Sequence, residues 1–198
     1  MSETSPFFAY QATSYGFLER ALAHLERFDE EDEASSLFYA AFELRMGIEA
    51  RLWEYLKPAL KELGKEPSEV EEYVATKLLR RLTELNPDAE AHTIFRITDE
   101  QDGASTVMEY TPVSRELASL HGRLGEILHF NFFIRNQRWF MRRALKAKGH
   151  RSLVDYRELL AHTVAELQKA TTGTLLNNPW FTRFVDDVLE EAGEGEEQ

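Results

Sequence analysis

Two stretches of this 198-residue chain place chemically capable side chains at helical spacing. The first reads Phe38, Phe42, Arg45, Glu49, Leu52 and Leu56 along one stripe. Arg45 and Glu49 stand four residues apart, so the two side chains touch on a helix. Charges on a half-apolar face need partners. The pair therefore reads either as an ion pair that fixes packing or as an anion or acid–base site facing another helix. The second stretch runs from His121 to His129 (HGRLGEILH). Leu117, Leu120, Leu124 and Ile127 form its apolar stripe, and a neighbouring line reads Ala118, Gly122, Gly125 and His129. Glycine inside a helix costs about 1 kcal/mol against alanine. Two glycines on one line predict the close approach of another backbone, from the same chain or from a second copy. The same line directs His129 toward that contact, as a satisfied boundary residue or as a proton-transfer group. Glu126 and His129, three apart, have the spacing of metal ligands, but no second Glu-x-x-His or His-x-x-x-His pair accompanies them. No metal or cofactor is expected.

A basic run follows. Arg135, Arg138, Arg142, Arg143, Lys146, Lys148 and Arg151 occur with no acid between them, and Trp139 and Phe140 sit inside the run. Residues 113–170 hold eleven basic and five acidic groups in a chain whose net charge is −12. Such a patch holds phosphates while its aromatics stack on bases. Arg135, Arg138, Trp139, Arg142, Arg143 and Lys146 are the candidate nucleic-acid contacts. The competing reading is a solvated face that pairs with the acidic segments of the same chain. A DNA-binding role is the weaker option, since no helix-turn-helix pattern is evident.

Arg123 and His129 have five residues between them, and Arg157 and His162 have four. Both resemble the Arg-(four to six residues)-His motif of HEPN-domain proteins. The Arg123/His129 copy is preferred because it lies beside the glycine line and just before the basic run. HEPN domains are helical bundles that often dimerise, and active members are metal-independent ribonucleases common in toxin and antiphage systems. The resemblance implies a composite site at a dimer interface, with His129 as acid/base and Arg123 stabilising the phosphate. The residue types suit that chemistry. Histidine moves a 2′-hydroxyl proton near neutral pH, and arginine holds a charged phosphate. Arg123, His129, Arg45 and Glu49 are thus the candidate catalytic residues.

These side chains need helices to position them. The 3.6-residue period marks five or six. The first spans about Thr13 to Phe28, with Phe17, Ala21, Leu25 and Phe28 as its stripe. The second spans about Ala34 to Leu56 and is expected to end near Pro58. The third is expected just after Pro67, with Ser68 and Glu71 as a capping box and Val70, Val74, Leu78, Leu82 and Leu85 as its stripe. The fourth spans about Ser114 to His129, with a possible continuation through the basic run to Lys148. The fifth starts at Ser152. A short last one starts at Asn178-Pro179 and carries Trp180, Phe181 and Phe184. Between the third and fourth, the stretches from His92 to Thr98 and from Thr106 to Thr111 have strand composition. Asp102-Gly103 between them is a turn signal. The expected fold is mainly α: a single-domain helical bundle over 1–198, a small inserted β-hairpin at about 92–111, and an acidic flexible tail at 190–198.

Composition excludes several function classes. Cysteine is absent, so there is no disulfide, no thiol catalysis and no Cys-ligated zinc. That fits a reducing compartment, and a cytoplasmic location is expected. The first ten residues have no basic and apolar leader pattern. The longest strictly apolar run, Leu37 to Phe42, is far too short to span a membrane. No P-loop, Rossmann glycine pattern or G-x-S-x-G elbow is present. The sequence thus points to a HEPN-like, homodimeric helical protein that binds, and in its active form cleaves, RNA. Its alternative is a non-catalytic helical dimerisation or protein-interaction module.

Overall fold

A computed structural model describes residues 12–65, 72–98, 105–128 and 153–173. Within them the chain is a mainly helical bundle carrying a two-stranded antiparallel hairpin. The elements in order are α1 (Ser14–Glu31), α2 (Ala34–Glu62), α3 (Ala75–Leu85), β1 (Thr93–Thr98), β2 (Ser105–Tyr110), α4 (Arg115–Leu128) and α5 (Leu153–Thr171). None of these helices is long and apolar enough to cross a membrane. The expected Ser68/Glu71 cap, the Asp102-Gly103 turn, the basic run, the last short helix and the acidic tail lie outside the described residues.

α1 starts where its cap dictates. Thr13 is extended, and its hydroxyl accepts the Gly16 N–H at 3.1 Å, which satisfies one of the helix's first free donors. Phe17, Ala21 and Leu25 are buried on one stripe.

α2 is the hub, packing against α1, α3, α4 and α5. Its Leu44, Ile48, Leu52 and Leu56 are fully buried. The helix does not end near Pro58. It runs on to Glu62, with Pro58 inside it. Proline there removes a backbone donor at a cost of about 3 kcal/mol. Burial of Leu56 and Leu60 on either side offsets a cost of that order, at about 1.5–3 kcal/mol per leucine. The true stop is Gly64 at φ 63, where Gly64 N–H donates to Lys61 O and Lys65 N–H to Leu60 O. This double closure needs a left-handed residue, which glycine supplies without strain.

α3 begins later than the periodicity suggested. Val74 is the extended residue before Ala75, and its carbonyl accepts from Lys77 and Leu78 N–H. A β-branched residue suits that extended position. Ala75, Leu78, Leu79 and Leu82 then face the core.

The hairpin pairs Thr93 with Tyr110 through Thr98 with Ser105. One face is anchored on the bundle by Met108 and Tyr110, both buried. The other leaves Ile94 and Val107 exposed.

A buried polar knot ties the hairpin exit to the helices. Arg51 of α2 is 1% exposed. Its Nε donates to Ala170 O near the end of α5 at 2.8 Å, and its Nη1 donates to Glu54 at 3.0 Å. Its guanidinium lies 4.6 Å above the Tyr55 ring centre. The guanidinium thereby satisfies a carbonyl that the helix end leaves unpaired, where a cation is favoured. Glu54 in turn accepts from the backbone N–H and hydroxyl of Ser14. Thr111 hydroxyl donates to the same Ala170 carbonyl, and Tyr55 hydroxyl donates to Thr111 O. Tyr110 hydroxyl reaches back to Ala89 O.

Candidate anion and acid–base site

α2 presents Arg45 and Glu49 to α4, one turn apart on a face that passes into the core at Leu52. Arg45 Nε donates to Glu49 Oε1 at 3.3 Å. The same oxygen lies 2.5 Å from His121 Nε2 of α4. His121 is 2% exposed. With the ring proton on Nε2, the imidazole donates to the carboxylate. Glu49 thus accepts from a cation and an imidazole at one atom, which fixes both donors in orientation. Nδ1 of His121 has no hydrogen-bond partner among the described residues.

Gly125, one turn after His121, makes room for the arginine. A Cβ at that position would stand 2.7 Å from Arg45 Nη1, closer than real Cβ contacts allow. The neighbour packed over this glycine is therefore a guanidinium, where the sequence suggested another backbone. At Gly122 a Cβ would meet nothing within 4 Å, so the second glycine of the line is not explained by a contact. Arg45 keeps a quarter of its side chain in solvent. Glu49 engages its Nε, and its Nη groups have no hydrogen-bond partner among the described residues. An arginine whose terminal donors are unpaired among the described residues, backed by a carboxylate, can receive an oxyanion. Phe42, one turn before Arg45, is 46% exposed and offers a ring face beside that position.

The four expected catalytic residues do not all meet. Arg45 and Glu49 are together. Arg123 is exposed on α4. It stands two residues from both His121 and Gly125, roughly 200° around the helix, and so faces away from Arg45. His129 lies outside the described residues, as do Arg135, Arg138, Trp139, Arg142, Arg143 and Lys146. Among the described residues no group of three or more metal-ligating side chains comes together.

The second Arg–His copy is separated by its own partners. Arg157 forks onto Asp29 of α1 with contacts of 2.9 and 2.7 Å. That hydrogen bonding holds the Asp29 carboxyl below the usual aspartate range. His162 pairs with Glu116 of α4 at 2.8 Å, where both are exposed. These two pairs tie α5 to α1 and to α4.

His121 and Arg51 are the polar residues that periodicity did not single out. Arg51 interrupts an apolar stripe between Ile48 and Tyr55, which was its one visible signal. His121 sits beside the Leu117–Leu124 stripe, and only the packing of α4 on α2 brings it to Glu49. Comparison with protein-family models, with curated proteins and with solved structures gives no match.

Proposed function

We propose that this chain is a HEPN-like helical protein that binds RNA and cleaves it without metal, with Arg45 receiving a backbone phosphate. The observation that supports this reading is the Arg45–Glu49–His121 arrangement, in which a partly exposed guanidinium, its Nη donors unpaired among the described residues, is held from behind. In this account Glu49 and His121 are positioning residues. His121 is too deeply buried to meet a polymer, and its work is to fix the carboxylate that aims Arg45. Phe42 supplies a stacking surface for a base next to the bound phosphate.

The resemblance supplies the remaining roles. His129, four residues after Gly125, is the acid/base that takes the 2′-hydroxyl proton as that oxygen attacks the adjacent phosphorus. The 5′-oxygen then leaves, taking that proton from the His129 imidazolium, and a 2′,3′-cyclic phosphate remains. Arg123 faces the other way in the same copy, so it joins such a site only from a second copy. Homodimerisation is accordingly part of the proposal. The test is a labelled single-stranded RNA incubated in EDTA with wild type, Arg45→Gln, Glu49→Gln and His129→Ala. Loss of cleavage in His129→Ala, with weakened binding in Arg45→Gln and Glu49→Gln, is expected. RNA left intact and unbound by wild type contradicts the proposal.

The alternative, a non-catalytic protein-interaction module, draws on the hairpin. Ile94 (64% exposed) and Val107 (53%) lie on its outer face, a position that a partner would cover. An intact RNA together with a co-purifying protein lost on Ile94→Lys favours it.

A further inference from the structure

Alternate residues of a strand share a side, so the outer face of the hairpin carries Ile94 and Arg96 from β1 and Val107 and Glu109 from β2. Ile94, Arg96 and Val107 are exposed. The solvent side of an antiparallel sheet is ordinarily polar, and two exposed β-branched apolar residues on it form a surface that gains from being covered.

The strand register arranges the four residues as a checkerboard. Ile94 stands opposite Glu109, and Arg96 stands opposite Val107. The apolar pair therefore lies on one diagonal of the patch and the charged pair on the other. Arg96 has no ion-pair partner among the described residues, although Glu109 is its diagonal neighbour. Glu109 meets His92 at 2.6 Å and keeps 41% of its side chain in solvent. A carboxylate has lone pairs for a further donor.

This pattern matches itself under a twofold rotation. Stack two copies of the face about an axis that lies between them along the apolar diagonal. Ile94 then meets Ile94 of the second copy, and Val107 meets Val107. The rotation exchanges the charged corners, so Arg96 of each copy faces Glu109 of the other. An axis along the strands or across them sets apolar residues on charges instead, and an axis along the charged diagonal sets like charges together. Strand spacing and rise make the matching hairpins cross at roughly 70°, close to orthogonal sheet packing.

We propose that this face is a contact between two copies of the chain, held by Ile94 and Val107 at its centre and by two reciprocal Arg96–Glu109 pairs. Such an isologous contact buries each patch against itself. The patch is smaller than a standard interface, so the dimer is weak, with Kd on the order of tens of micromolar. The proposal stands on the hairpin alone and does not rest on the RNA-cleavage reading.

The experiment is sedimentation velocity of the full chain without RNA, at concentrations well below and well above that Kd. A reversible monomer–dimer equilibrium is expected. Arg96→Glu and Glu109→Arg are each expected to weaken the dimer about tenfold or more, because each sets like charges face to face. Mixing the two single variants is expected to restore association, as both cross-copy pairs are then opposite in sign. Ile94→Lys is expected to leave monomer. All three variants are expected to keep the wild-type circular dichroism spectrum. A chain that stays monomeric at every concentration, association unchanged in Arg96→Glu and Ile94→Lys, or single variants that remain apart when mixed overturns the proposal. These readouts contain no RNA, so this contact and the Arg45 centre fail separately.

Discussion

At the residue scale, the two glycines of α4 separate a packing demand from a tolerated defect. Gly122 faces open space, so Gly122→Ala removes only the backbone-entropy cost of glycine in a helix. Chemical denaturation is expected to show a gain of about 0.5–1 kcal/mol. Gly125→Ala places a methyl against Arg45 Nη1. The guanidinium end is flexible and moves aside, so stability changes little. RNA affinity is expected to fall, because Arg45 loses its seat. Arg51 is the opposite case. It is buried and tied to both Ala170 O and Glu54. Arg51→Met leaves the Ala170 carbonyl with the Thr111 hydroxyl alone and weakens the hold on Glu54, which Ser14 only partly preserves. A loss of about 3 kcal/mol is expected by the same denaturation assay. The sequence made the Arg45–Glu49 pair visible through its i,i+4 spacing. It hid His121, whose partner is 72 residues away and is reached only by the tertiary register of two helices.

At the scale of elements, local chemistry explains most boundaries. Thr13 starts α1, and the hairpin forms where alternating β-branched and aromatic residues replace the helical period. The misread boundaries are those where packing overrides a local signal. Pro58 looked like a stop, but buried Leu56 and Leu60 carry α2 past it to Gly64. Val74 looked like a stripe position and is instead the extended residue before α3. The α1–α5 contact includes the Asp29–Arg157 fork, which makes a pH prediction. Asp29 has a lower pKa folded than unfolded, because Arg157 hydrogen bonds favour its charged form. Its contribution is therefore complete above the unfolded aspartate value, near 4. It is lost as pH falls through the depressed folded value. Asp29→Asn is expected to flatten the stability-versus-pH curve on the acid side. An unchanged acid limb speaks against the fork in solution.

At the scale of the whole molecule, the polar knot couples α1, α2, the loop at Ala89, the hairpin exit and the end of α5, and its tyrosines report on it. Burial pushes the Tyr55 and Tyr110 phenols above the ordinary tyrosine range, Tyr110 the more strongly. Their rings lie 4.6 Å apart, and each hydroxyl donates to a backbone carbonyl. A raised tyrosine value means that the unfolded chain releases protons near pH 10 while the native one keeps them. Stability is complete below that pH and falls as pH rises from about 10 toward the raised native values. Tyrosinate absorbance is expected to show late-titrating phenols in the native protein, and Tyr110→Phe is expected to remove one of them. All tyrosines titrating together near pH 10 while the protein stays folded contradicts the knot.

The central claim is that a phosphate seats on Arg45, with Glu49 and His121 behind it. RNA affinity measured by fluorescence anisotropy in EDTA, for wild type, Arg45→Gln and Glu49→Gln, tests it most directly. The account predicts saturable binding that falls steeply with salt. It also predicts that Arg45→Gln weakens binding about tenfold or more, with a smaller loss for Glu49→Gln. Both variants are expected to keep the wild-type circular dichroism spectrum. Affinity unchanged in folded Arg45→Gln, or no RNA binding by wild type at low salt, contradicts it.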